Sequence, residues 1–221
     1  MGVSLNDDEL LEERGARART RKLMLETASS LMQEGVTPSV SDVAEAAGVS
    51  RATAYRYFPS QADLVHAVVE EALGPILDWE SEDRDAGDRV DDLLVSSLPR
   101  IIDYEATFRA ALKLSLEQWA QEQAGTLGEE AAFARGHRVE LLRQALAPLR
   151  KTLPRKQFQR LAMALSLAYG IEALVVLKDI WGAGDREAQE VARWVARALI
   201  KAAVSEAASK RRQRERARAK R

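Results

Sequence analysis

Residues 39–58 read SVSDVAEAAGVSRATAYRYF, and their reading decides the fold. Val43, Ala44 and Ala47 recur at helical spacing, and Gly48 supplies the backbone freedom that a tight turn between helices needs. Ser39 followed by Asp42 is a capping-box start for one short helix. Ser50 caps a second, and Pro59 stops it at Phe58. Two short helices joined by a tight turn form a helix-turn-helix. The second helix concentrates hydroxyl, aromatic and cationic side chains, the chemistry that reads DNA in the major groove.

Outward from this stretch, Met24, Ala28, Leu31 and Met32 fall at i, i+4, i+7 and i+8, which predicts an amphipathic helix over residues 20–34 ending at Gly35. Ser60 and Asp63 repeat the Ser-x-x-Asp signature. They open a fourth helix carrying Leu64, Val68, Ala72 and Ile76, expected to run over residues 61–77 with a kink at Gly74-Pro75. Residues 14–22 hold Arg14, Arg17, Arg19, Arg21 and Lys22, a basic arm suited to phosphates. Residues 1–13 are acid-rich and expected to be disordered.

The ordered set Asp42-Val43-Ala44, Ala47-Gly48-Val49-Ser50, Thr53, Tyr55, Tyr57-Phe58-Pro59-Ser60 and Leu64 resembles the tetracycline-repressor-like (TetR) transcriptional regulators. The likeness covers residues 17–73, about the first third of the chain. It implies that Arg51, Ala52 and Tyr55 face base edges and that Thr53, Arg56 and Tyr57 contact phosphates. Arg21 and Lys22 of the arm, together with Ser39, Ser50 and Gln61 at the helix starts, complete the expected DNA-binding set. The chemistry of these side chains agrees with those roles. Arg51 sits in the first turn of the recognition helix, where its forked guanidinium can pair with guanine O6 and N7. Ala52 offers a methyl surface to thymine, and the hydroxyls of Thr53 and Tyr57 suit phosphate. Two positions depart from the family habit. Gln61 stands where a lysine is usual, so a neutral donor is expected to replace one phosphate salt contact. Ala54 stands where a larger aliphatic residue is common.

Charge is segregated rather than uniform. The net charge is −1, so the whole chain is no general polycation for coating nucleic acid. Yet residues 63–92 hold 11 acids against Arg84 and Arg89, and the last 12 residues read KRRQRERARAKR. Those 12 residues make up all but the first residue of the basic tail 209–221, which is expected to be solvated and frayed. The absence of cysteine excludes disulfide and thiolate chemistry and suits a cytoplasmic location. Residues 161–177 are apolar but short for a bilayer and interrupted by Glu172, so a buried helix is expected and no membrane partner.

At 221 residues and 46% hydrophobic composition, the chain can build a small and a larger domain. The expected division is 14–60 for the helix-turn-helix domain and 61–208 for an all-α effector and dimerisation domain. Helices are predicted over residues 90–102, 108–119, 130–149, 155–181 and 186–208. Helix 155–181 is apolar nearly all round between 161 and 177, and the last helix carries Val191, Val195, Ala198 and Ala202 on one stripe. These surfaces predict a homodimer through a four-helix bundle, with Leu165 and Val176 in the same interface. The resemblance implies the same dimer and an effector pocket, for which Tyr104, Phe108, Trp119, Phe133, Tyr169 and Glu172 are the candidates.

The expected function is therefore a ligand-responsive repressor that binds a palindromic double-stranded operator as a homodimer. An unknown small molecule would relieve binding through the fourth helix. A ligand-independent or partner-recruited DNA-binding protein, or an activator, stays open. An enzyme is not expected: His66 and His137 lie far apart in sequence, and no phosphate loop, metal-ligand spacing or cofactor motif is present.

Overall fold

The computed structural model describes residues 7–127 and 136–219, with side chains from residue 15 onward except Arg214 and the last few positions. The protein is all-α, an N-terminal helix-turn-helix followed by a larger helical region, and no strand occurs among the described residues. The chain separates into two compact units, with crossings after Ala72 and after Tyr104.

The first unit consists of α1 (Asp7–Gln33), α2 (Val40–Ala46), α3 (Arg51–Tyr57), α4 (Gln61–Leu73) and α6 (Glu105–Ala124). Its core gathers Met24, Leu25, Ala28 and Met32 from α1, Val40, Val43 and Ala44 from α2, and Ala54 and Phe58 from the recognition segment. Leu64, Val65 and Val68 of α4 and Ala110, Ala111 and Leu114 of α6 close it. The small unit is thus not confined to residues 14–60. It takes α4 and a helix that lies beyond residue 100.

Two further boundaries differ from the sequence-based expectation. The segment 1–13 was expected to be disordered, yet α1 is helical from Asp7; residues 1–6 lie outside the described set. Residues 7–13, DDELLEE, put acids at the positive end of the helix dipole and supply two leucines of high helix propensity. The fourth helix ends at Leu73 rather than continuing to residue 77, and Gly74–Ile76 form a single 3-10 turn.

The second unit consists of α5 (Ala86–Asp103), α7 (His137–Ala145), α8 (Arg155–Leu165), α9 (Ile171–Leu174) and α10 (Asp185–Ala219). Helix α5 starts at its N-cap Asp85, whose carboxylate accepts from the Gly87 and Asp88 amides. It buries Val90, Leu93, Leu94, Leu98 and Ile101. Opposite them α10 presents Ala188, Ala192, Ala196 and Ile200, all buried at i, i+4 spacing. Three alanines in a row allow close approach of the two helices. Asp91 spans this seam, taking two bonds from Arg193 at 2.8 and 2.6 Å and one from Arg197 at 3.0 Å. The Arg193 guanidinium holds the Asp91 carboxyl below the usual carboxylate range, against the opposing effect of partial burial.

Residues 155–181 are not one helix. Helix α8 stops at Leu165, and the chain resumes as α9 after Gly170, whose φ is +120°, then passes into a π-helical turn over Val175–Ile180. The break is held from a distance. Arg138 of α7 donates to the carbonyls of Ser166 (3.3 Å) and Tyr169 (3.1 Å) and pairs with both carboxylate oxygens of Glu172 at 2.8 and 2.6 Å. Backbone acceptors freed by the end of α8 therefore find a charged donor. A Cβ at Gly170 would lie 3.0 Å from the Arg138 guanidinium, so this position needs glycine for both conformation and space.

The C-terminal segment also differs from expectation. Helix α10 continues past residue 208 to Ala219. Glu206 accepts from Lys210 one turn on and from Arg160 of α8, and Arg211 pairs with Glu215. Such i, i+4 pairs each add a few tenths of a kcal/mol to an exposed helix, about 0.2–0.5.

Candidate nucleic-acid interface

Helix α2 begins with a complete capping box. The Ser39 hydroxyl accepts from the Asp42 amide at 3.2 Å, and the Asp42 carboxylate accepts from the Ser39 amide at 2.8 Å. Those hydrogen bonds, helped by the nearby Arg51 charge, hold the Asp42 carboxyl below its usual range. Gly48, at φ +66°, turns the chain out of α2, and the Val49 amide closes back on the Ala44 carbonyl at 2.9 Å. Ser50 then caps α3 by accepting from the Thr53 amide at 3.2 Å while its hydroxyl donates to Thr53 Oγ1 at 2.9 Å. Ser39 and Ser50 thus spend their side chains on helix starts.

Helix α3 sorts its residues by face. Ala54 is fully buried and Phe58 nearly so, one turn apart, and these two seat the helix on the core. Arg51, Ala52, Tyr55 and Arg56 are exposed, while Thr53 and Tyr57 are half-buried. The outward set is an arginine, a methyl surface, a phenol and a second arginine on one short helix. Tyr55 is not free to swing: its hydroxyl lies 3.3 Å from the Ser41 hydroxyl of α2. Ser41 was not among the residues singled out from sequence. The contact joins residues fourteen apart, and no local pattern announces it.

The basic arm is part of α1. Arg21 places its guanidinium 5.7 Å from the centre of the Phe58 ring, so it braces the end of the recognition helix. Arg56 lies likewise over Tyr57 at 5.8 Å. Lys22 is exposed and pairs loosely with Glu26 at 3.7 Å. The Arg14 side chain lies outside the described residues.

Gln61 corrects the expectation of a neutral phosphate donor. Its amide nitrogen donates to the carbonyls of Thr37 at 3.2 Å and Pro38 at 3.1 Å, on the strand of chain that enters α2. It ties the start of α4 to the start of the helix-turn-helix. The side chain is half-buried and already engaged.

The residues proposed for an effector are divided between the two units. Phe108 is buried and Trp119 is 61% exposed, both on α6 of the first unit, whereas Tyr104, Tyr169 and Glu172 belong to the second. Phe133 lies outside the described residues. Tyr169 is buried, which pushes its phenol up in pKa against the opposing effects of a hydrogen bond with Ser97 and the Arg138 charge. Glu172 has its partner in Arg138, so its interruption of an apolar stretch has a structural explanation. Two surface grooves of the second unit are lined by other residues altogether.

Among residues expected at a dimer interface, Leu165 is buried within its own unit and is unavailable to a partner. It is one turn from Leu161 on the inward face of α8. Val191 and Val195 are half-buried, and Val176, Ala198 and Ala202 are exposed. Sequence reasoning missed the outward aromatic and aliphatic side chains Met163, Leu167, Ile180, Trp181 and Trp194, which are 65–80% exposed.

Residues 24–68, the stretch that carries this geometry, match the family model for bacterial regulatory proteins of the tetR family. That segment carries the tetR-family helix-turn-helix pattern. The chain is 43% identical over 56 residues to the HTH-type transcriptional repressor LfrR of Mycolicibacterium smegmatis, a stretch that makes up 25% of this chain and 30% of that protein. Its fold is similar to that of a TetR transcriptional regulator from Rhodococcus sp. RHA1, with a TM-score of 0.56 and 21% identity, covering 85% of this chain and 97% of that one. The tetR family match therefore falls on the helix-turn-helix, while the structural likeness extends to the whole helical fold. No helix among the described residues is long and apolar enough to cross a membrane.

Proposed function

We propose that this protein is a DNA-binding transcriptional regulator that acts as a homodimeric, ligand-responsive repressor on a palindromic operator. The observation that carries the proposal is the sorting of α3: Ala54 and Phe58 fix the helix to the core, and Arg51, Ala52, Tyr55 and Arg56 face outward together. Arg51 in the first turn is the base-reading residue, through a bidentate pair to guanine. Ala52 and Tyr55 extend the reading face, and Thr53, Arg56 and Tyr57 hold phosphates. The tetR-family match over residues 24–68 and the name of the LfrR relative support the repressor reading.

Dimerisation is supported by the apolar side chains that one chain leaves in water. Met163 and Leu167 near the end of α8 and Trp194 on α10 offer a surface suited to a second copy, with Ala198 and Ala202 further along α10. Two recognition helices related by a two-fold axis would read two half-sites about one helical turn apart, roughly 34–36 Å. Effector binding in the second unit would change the register of those helices through the crossing at the end of α4.

The test is selection of bound DNA from a random pool by the full-length protein, followed by footprinting. A palindrome with protected half-sites supports the dimeric reading. Enrichment of no sequence, or of a single asymmetric site, contradicts it.

A further inference from the structure

A groove of about 510 Å³ lies on the second unit at the corner where α7 leads through the 3-10 turn Ala147–Lys151 into α8. It is lined by Glu140, Arg143, Arg150, Leu153, Arg155, Phe158 and Gln159. Its size falls within the roughly 300–1,000 Å³ of small-molecule sites. The floor is apolar: Leu153 is buried and Phe158 half-buried. The walls are cationic. Arg143, Arg150 and Arg155 stand against Glu140, and Lys151 and Lys156 are exposed beside them in sequence.

Most other arginines of this unit are engaged. Arg193 and Arg197 hold Asp91, Arg138 holds Glu172, Arg160 holds Glu206, and Arg186 holds Glu190. Among the described residues Arg143 and Arg155 have no acidic partner, and Arg150 rests on the Phe158 ring at 5.7 Å from its centre. Three guanidiniums left without counter-ions around one concavity concentrate positive potential there. Arginine forks suit phosphate oxygens, and each such bond is charge-assisted.

We propose that this groove binds a small oligophosphate anion, with Arg143, Arg150 and Arg155 on its phosphates. An oligophosphate fits better than a single carboxylate because three separate guanidiniums on a groove of this volume call for several anionic groups in one molecule. The groove shares no residue with the recognition face or with the proposed dimer surface, so the inference stands independently of the proposed function.

The test is isothermal titration of the full-length protein with inorganic tripolyphosphate, ATP and AMP at low and moderate salt. Tripolyphosphate and ATP are expected to bind, AMP at least about tenfold more weakly, and all more weakly as salt rises. The variant Arg143→Glu/Arg155→Glu, checked for folding by circular dichroism, is expected to lose about tenfold or more in affinity, the size expected for charged hydrogen bonds. Arg186→Gln, on the exposed face of α10, is expected to bind as the parent does. Equal affinity for tripolyphosphate and ATP assigns the site to the phosphate chain, and a preference for ATP assigns it to a nucleotide. No binding overturns the proposal. So does binding that survives the groove variant, or that disappears instead when residues 209–221 are removed.

Discussion

The two units are stabilised on different sequence scales. In the first, the helix starts are closed by partners three residues away: Ser39 with Asp42, Ser50 with Thr53, Ser60 with Asp63. In the second, the decisive polar contacts reach across the chain. Arg138 meets Glu172, thirty-four residues on, and Arg193 meets Asp91, one hundred and two residues back. A recognition element made of short helices with local caps keeps its shape largely from its own residues, so Arg51 and Ala52 stay exposed for a ligand beside the braced Tyr55. In the second unit the break after α8 is held by a charge brought in from another helix, Arg138 of α7.

The largest effect that can test this contrast falls on the recognition helix anchor. Phe58→Ala should cost about 3–5 kcal/mol, the range for a buried aromatic side chain, read by urea denaturation. A loss under 1 kcal/mol would mean that α3 is not seated through Phe58. In the second unit, Gly170→Ala is expected to cost about 1–3 kcal/mol, because φ of +120° strains any side chain and the Arg138 guanidinium occupies the space. An unchanged melting temperature would show that the break after α8 is not fixed by this contact.

A smaller effect is expected at the α5–α10 seam. Asp91→Asn should destabilise by about 1 kcal/mol, a modest figure because the ion pair is partly solvated. The pH dependence has a defined sign. The folded Asp91 pKa is depressed, so the carboxylate stabilises above the unfolded value near about 3.9. That stability is lost as pH falls through the folded value. Wild type and variant should therefore differ at neutral pH and converge in acid; a difference that grows on acidification would refute the assignment. A comparable effect is expected at Gln61. Gln61→Ala should cost about 1 kcal/mol of stability and leave DNA affinity unchanged. An equal loss of affinity on selected and scrambled duplexes, with the salt slope unchanged because a neutral amide releases no counterion, would make Gln61 a phosphate contact after all.

The same difference in scale explains what the sequence revealed. Ser39, Asp42, Gly48, Ser50 and Pro59 are local signals, and they placed α2, the turn and α3 within a residue. The outward position of Arg51, Ala52 and Tyr55 was expected from the resemblance, and the structure exposes all three while Ala54 and Phe58 are buried. Residues 155–181 read as one helix because the apolar run carries no local stop. Gly170 takes up its positive φ where Arg138 of another helix donates to the flanking carbonyls, a contact no local pattern announces. Likewise Gln61 finds its acceptors at Thr37 and Pro38, more than twenty residues back, and α6 joins the first unit through Ala110, Ala111 and Leu114. On α10 the inward stripe is alanine, so the larger Val191 and Val195 drew attention to a flanking face. The helical tail was missed because its charge suggested solvation, whereas Glu206 and Glu215 supply pairs one turn from Lys210 and Arg211.

The central claim is that α3 reads bases through Arg51. Its most direct test is the affinity of wild type and Arg51→Ala for a selected site and for a scrambled duplex at one fixed salt concentration, by fluorescence anisotropy. A loss of about 1–3 kcal/mol on the selected site, with scrambled binding little changed, is the predicted result. Equal losses on both duplexes would reduce Arg51 to a phosphate contact and contradict the account.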